Sequence, residues 1–263
     1  MIDVDNVGDH RRFTLNPGGR KQRQGTGGFE QSTNRYQRRL TRVYDTWSAK
    51  TRRILAQAAA RGAPVQEQIQ IFDSALPGLK TELATVIENG IRSAARVASE
   101  GHFKDTAVQD LMSQYIREDI AKLDDMIPAI RERLLPGITG GKALSKKDLG
   151  KDFLRARSAP PLMAGGFWVM IFATKQTLGK QREHDRIAQG LEIEPVRWNL
   201  DPRASHCKAS PGHYGCPDLA GVYQGGWSTL KTVPAGLVTC RGNCKCNLEV
   251  KRDGQWRRGV YED

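Results

Sequence analysis

A mainly α fold, an extended helical bundle or hairpin followed by a small β-containing C-terminal module, is what this sequence predicts. Three observations carry the expectation. Apolar residues recur at three- and four-residue steps through most of the first 190 positions, no alternating strand pattern appears before Glu192, and all five cysteines fall in the last 57 residues.

Residues 1–31 come first and read as a flexible basic arm. Five glycines between Gly18 and Gly28 sit among Arg11, Arg12, Arg20, Lys21 and Arg23, with almost no large apolar residue after Leu15. Such a segment can lie on phosphates by releasing their counterions, or on an acidic protein surface. The chain as a whole has 41 Lys+Arg against 29 Asp+Glu. The excess sits at the two ends. Residues 1–62 hold 13 basic and 5 acidic side chains, residues 63–195 hold 18 of each, and residues 196–263 hold 10 and 6. Terminal contact with a polyanion, nucleic acid foremost, is the reading that charge distribution favours.

A helical domain is expected over residues 32–190. Its first helix places Tyr36, Leu40, Val43, Tyr44, Trp47, Ile54, Leu55 and Ala58 on one stripe, starts from a Ser32 or Thr33 cap and closes near Gly62 and Pro64. The opposite face carries Arg35, Arg38, Arg39, Arg42, Lys50, Arg52 and Arg53, solvated or docked on something acidic. A second apolar stripe runs from Val65, with an interruption expected at Pro77-Gly78, and a third runs from Val108 to a stop at Pro128. Residues 135–152, rich in Gly and Lys, read as a loop or hinge before helix resumes over 153–190. The uncharged stretch Ser158–Thr174 is broken by two prolines and two glycines, so it reads as a buried helix or an assembly interface and no membrane is expected. MIDVDNVGDHRR lacks the pattern of a secretory signal, which places folding in a reducing cytosol.

Residues 191–263 are the expected β module. Short strands fit Ile193–Leu200, Leu237–Cys240 and Cys246–Tyr261, the last folded at an Asp253-Gly254 hairpin turn. Thiolates suit a tetrahedral zinc ion, and a structural site takes four of them, delivered as two pairs from sharply turning loops. Cys207 and Cys216 make one pair, and the tight run Cys240, Cys244 and Cys246 supplies the other. Five exceed four, so the favoured set is Cys207, Cys216, Cys240 and either Cys244 or Cys246, with His206 and His213 as possible substitutes. A module with so few large apolar side chains takes folding free energy from its metal, which makes the zinc structural.

The string from Asp201 and Arg203 through Cys207, Cys216, Leu219-Ala220-Gly221 and Pro234, to Cys240 and Asn243-Cys244-Lys245-Cys246-Asn247-Leu248, resembles the C-terminal module of phage Mu F-like minor head proteins. That resemblance implies a long helical region ahead of a small metal-binding module, and a low-copy head component that works near the portal vertex in packaging or delivering DNA. The implied partners are the portal protein, the major capsid protein and packaged double-stranded DNA reached through the basic segments. The implied location is the virion head, with the host cytoplasm during assembly. The chain departs from the pattern in three places. Eight residues rather than two separate Cys207 from Cys216, Cys240 stands where a histidine is common, and Lys245 stands where arginine is usual.

No enzyme is expected. The five histidines fit no nucleophile or acid/base frame, Glu183-His184-Asp185 lies in a polar helical run, and neither a phosphate-binding glycine loop nor a GxSxG elbow is present. Trp198, Tyr223, Trp227 and Trp256 interleave with Arg197, Lys231, Arg257 and Arg258, a pattern that supplies either a small core or a base-stacking surface. The alternative to a head protein is therefore a stand-alone, zinc-dependent nucleic-acid-binding protein.

Overall fold

The computed structural model describes residues 27–140, 159–202, 206–239, 244 and 246–261. Long helices come first and a four-stranded antiparallel sheet follows, so the chain is mainly α with a small β module, as its periodicity predicts. The basic arm lies outside the described residues up to position 26.

Helix α1 spans Gly27–Ala60 and so begins ahead of the Ser32/Thr33 cap. Its apolar stripe is buried at Tyr36, Leu40, Tyr44, Trp47, Leu55 and Ala58, while Val43 and Ile54 at its margin are half-buried. Gly62, at φ +76°, ends it, and Ala63 N donates to Ala58 O at 3.0 Å, the long-range closing bond of a left-handed C-cap.

Helix α2, Val65–Ala98, corrects the expected break: it runs through Pro77 and Gly78. An interior proline loses one backbone bond and costs ~3 kcal/mol. Pro77 and Gly78 are exposed, while Leu76 and Leu79 beside them are buried. Burial worth about 1.5–3 kcal/mol per leucine offsets that cost. The same correction applies to α3, Thr106–Thr139, which passes through Pro128 and Pro136 and leaves Leu135–Thr139 helical rather than loop. Ile130, Leu134 and Ile138 keep the buried stripe going one turn at a time beyond Pro128. Residues 141–152 of the expected loop, and 153–158 at the start of the helix expected after it, lie outside the described residues.

The chain divides into two compact units that interleave along the sequence. One draws on Asn34–Asn89 and Ile116–Met163. Within it Trp47 packs on Phe72 with ring centroids 6.1 Å apart and donates Nε1–H to Ala75 O at 2.9 Å, tying α1 to α2. Arg131 grips Asp73 with two parallel bonds of 2.7 and 2.9 Å, tying α3 to α2. Asp119 is buried with Lys122 against it, and burial raises its carboxyl pKa above the ordinary value.

The other unit includes Gly90–Tyr115 and Ala164–Asp263. Helix α4, Ala159–Ala188, contains the uncharged stretch, and its Phe167, Trp168, Met170, Ile171 and Phe172 are buried. Among the described residues no helix is long and apolar enough to cross a membrane. Strands β1 (Val196–Asn199), β2 (Gly221–Tyr223), β3 (Asn247–Arg252) and β4 (Gln255–Arg257) follow, in the order β2-β1-β3-β4. Arg252 pairs with Gln255 across the expected Asp253-Gly254 turn, whose φ angles of +50° and +77° suit a two-residue hairpin. The strand expected at Leu237–Cys240 is absent as far as Thr239. Val238 makes one isolated bridge to Tyr214, because the Val233–Gly236 turn bends the chain just before it; Cys240 lies outside the described residues.

Four sets of contacts lash the module to its helices. Glu100, in the α2–α3 turn, accepts backbone bonds from Val260 (3.0 Å) and Tyr261 (2.7 Å), and Lys175 of α4 donates to Arg258 O at 2.7 Å. Glu194 sits among Arg182, Arg186 and Arg252 at 3.2, 3.4 and 3.1 Å. The Trp227 indole packs directly on Gly179 of α4.

Candidate metal centre

The Cys207–Cys216 loop is folded back on itself by its own backbone. Ser210 and His213 exchange hydrogen bonds of 3.1 and 2.9 Å around Gly212, which stands at φ +75°, and Cys216 N donates to Cys207 O at 3.1 Å. Gly215 is required at the return. A Cβ there would come within 2.7 Å of Ala209 N and of Asp218 Oδ2, the oxygen that accepts from Gly215 N. Folding the loop in this way puts the Cys207 and Cys216 sulfurs 3.4 Å apart, too far for a disulfide and close enough to share an ion.

The second arm arrives along β3. Tyr214 N donates to Leu237 O at 2.8 Å and Thr239 N donates to Tyr214 O at 3.1 Å, which holds the chain ahead of residue 240 against the first loop. Beyond it, β3 pairs with β1 in the register Asn199↔Asn247 and Trp198↔Leu248. Cys244 and Cys246 lie just ahead of β3, and both are buried. The result is a buried group of Cys216, Cys244 and Cys246 whose sulfurs all lie within 4.8 Å of one another, with Cys207 beside Cys216.

The donor set fits a metal ion. Tetrahedral coordination at a metal–sulfur distance of about 2.3 Å separates the sulfurs by about 3.8 Å, a value that the 4.8 Å ceiling on the buried group accommodates. Contact with the Cys244 thiol, followed by burial, pushes the Cys246 thiol far above its ordinary pKa, while Trp198 and Cys216 pull it back. A buried thiol group of this kind resists ionising by itself, and a divalent cation reverses that preference. Trp198 Nε1–H is buried without a hydrogen-bond partner among the described residues, and the indole acts on the Cys246 thiol by lowering its pKa. An indole N–H near a thiolate is the kind of outer partner that favours metal-bound sulfur.

Of the residues singled out in the sequence, the structure brings Cys216, Cys244 and Cys246 together and sets Cys207 against the first. Both Cys244 and Cys246 take part, where spacing alone left one of them spare. Cys240 lies outside the described residues. His206 and His213 belong to no metal-competent group among the described residues; the His213 ring sits 3.2 Å from Pro211 O in its own turn. His184 is exposed, 3.8 Å from Asp185. Trp198 and Trp227 are core residues, whereas Trp256 is half-buried under the Arg197 guanidinium at 4.3 Å.

Sequence reasoning missed Trp198 as a partner of the thiols and Glu100 and Glu194 as anchors of the module. The register of β1 on β3 is the only signal for Trp198, and it is not visible before the sheet is known. No family model, curated protein or solved structure matches the chain.

Proposed function

We propose that this chain is a structural phage minor head protein, taking part in head assembly and in DNA packaging or delivery near the portal vertex, with zinc stapling its C-terminal module. One observation carries the reading: the segment that resembles the Mu F-like module is the segment whose folding gathers the thiols. Of the residues that supply the resemblance, Cys216, Cys244 and Cys246 form one buried group that could hold an ion, and Cys207 lies 3.4 Å from Cys216.

Bound zinc supplies a closed, redox-inert crosslink. The residues around it do the rest. The Ser210–His213 turn holds the first thiol pair, the β1–β3 register holds the second, and Trp198 shields the group from water on the sheet side. In this reading Cys207 completes the set as the fourth ligand, which leaves no place for a reacting water and makes the zinc structural. In this role the helical body meets the portal protein and major capsid protein, the basic segments meet packaged double-stranded DNA, and the protein resides in the virion head after assembly in the host cytoplasm.

The experiment has two arms. Elemental analysis of the purified chain is expected to give about one zinc per chain, and purified procapsids that carry portal are expected to contain the protein. Zero zinc removes the metal, and absence from particles removes the head role.

Arg197 stacked on Trp256 favours a second reading, a stand-alone zinc-dependent nucleic-acid-binding protein, because a cation over a half-buried indole also recognises bases. Sequence preference in a salt-titrated DNA binding assay supports that reading, and sequence-independent binding supports the head protein.

A further inference from the structure

The exposed side of α1 carries a line of cations set out by helix geometry. At about 100° per residue, Arg35 and Arg53 fall on one line along the helix, Arg42 lies within about 20° of it, and Arg38 and Lys50 flank it by about 60°. All five are exposed, while Tyr36, Leu40, Tyr44, Trp47 and Thr51 occupy the opposite side and are buried. Between Asn34 and Ala60 there are seven cations and one acid, Asp45. Elsewhere in the same unit the fold sets Arg61, Lys80, Lys122 and Arg131 each against a carboxylate. Among the described residues none of the five stripe cations has such a partner.

We propose that this stripe is a sequence-independent docking surface for the phosphate backbone of double-stranded DNA. From Arg35 to Arg53 it runs for about 27 Å, against a duplex that presents one charge per ~1.7 Å of its axis. What lies between the cations selects the partner. Thr46 and Ala49 are exposed there, small, and unable to hold the backbone away. A protein interface places aromatic and apolar residues at its centre, and a single-strand reader needs aromatic stacking platforms; the stripe has neither. The inference deepens the packaged-DNA part of the proposed function and rests on it for its setting, but requires neither the metal nor the particle.

The test is the salt dependence of full-length protein binding to a mixed-sequence duplex of about 30 base pairs. Replacing the stripe with glutamine, R35Q/R38Q/R42Q/K50Q/R53Q, is expected to lower the slope of log affinity against log salt by about 4.5, at ~0.9 for each phosphate that is no longer neutralised. A control with the same net charge, R117Q/R133Q/K104Q/K180Q/K251Q, is expected to leave the slope within about 1 of the parent. Helix content and unfolding midpoint are measured on both variants, so that a folding defect is seen separately. An equal fall in both variants overturns the proposal, as does a parent that binds anionic phosphatidylserine vesicles or acidic protein but not duplex. Zinc content is read in parallel: a chain without zinc that keeps the stripe-dependent slope loses the metal reading and retains this one.

Discussion

Trp227 stands where a side chain on Gly179 would have to go. An added Cβ on that glycine would lie 2.5 Å from the indole Cγ and Cε2, well inside contact distance. The helix gives up a methyl so that the module's tryptophan can reach its backbone. Gly179→Ala gains ~1 kcal/mol of helix propensity and meets about 1–3 kcal/mol of overpacking. A net loss is expected in urea unfolding. Gly78→Ala, in an exposed helix interior with nothing within 4 Å, is expected to gain about 0.5–1 kcal/mol. Equal and stabilising effects at both sites would show that Trp227 does not pack there.

Removing a metal ligand acts on one unit. Cys216→Ser or Cys246→Ser is expected to abolish stoichiometric zinc and to destabilise the C-terminal module by several kcal/mol, while the far-UV helical signal largely survives. A chelator is expected to reproduce the effect on the parent chain. His206→Ala and His213→Ala are expected to leave metal content unchanged, and loss of zinc in either would place a histidine in the ligand set.

Glu194 ties acid sensitivity to the joint between α4 and β3. Burial opposes its charge, yet the Arg182 hydrogen bond and the Arg252, Arg182 and Arg186 charges outweigh burial and hold its pKa below the ordinary 4.5. A lowered carboxyl contributes stability that is present above its unfolded pKa and lost as pH falls through the folded value. The parent is expected to weaken below about pH 4.5 in part through this group. Glu194→Gln is expected to cost about 1.5–3 kcal/mol at pH 7 and to flatten that limb in urea titrations. An unchanged limb would dissociate Glu194 from the acid response.

Asp119 has the opposite sign. Burial is the largest cause of its raised pKa, only partly countered by the Lys122 charge and hydrogen bond, and Glu118 adds to the rise. Its stabilising form is the protonated one, present below the unfolded pKa and lost as pH rises through the folded value. Asp119→Asn is expected to be neutral or stabilising at pH 7 and to narrow the stability difference between pH 5 and pH 7. A variant clearly weaker at pH 7 would mean that the Lys122 pair outweighs burial.

The helices were legible because burial follows periodicity: Tyr36, Leu40, Tyr44 and Ala58 are spaced as a stripe and are buried as one. Their ends were less legible. Pro77, Pro128 and Pro136 each carry a local stop signal, and buried leucines and isoleucines on either side override it. Strand β2 is three residues long and begins at a glycine with φ +142°, so neither alternation nor propensity marks it. The cysteine cluster was visible from spacing alone. Its outer partner Trp198 was not, since only β-sheet register brings position 198 to position 246.

The Glu100 clamp sets an order of events. Its two acceptor bonds reach residues 160 and 161 positions later in the chain. On the ribosome those amides do not exist until long after α2 has emerged, and contacts that close so large a loop are slow to form. The helices of the Asn34–Asn89 and Ile116–Met163 unit can therefore pair during synthesis, whereas the clamp on Glu100 closes only after Tyr261 has been made.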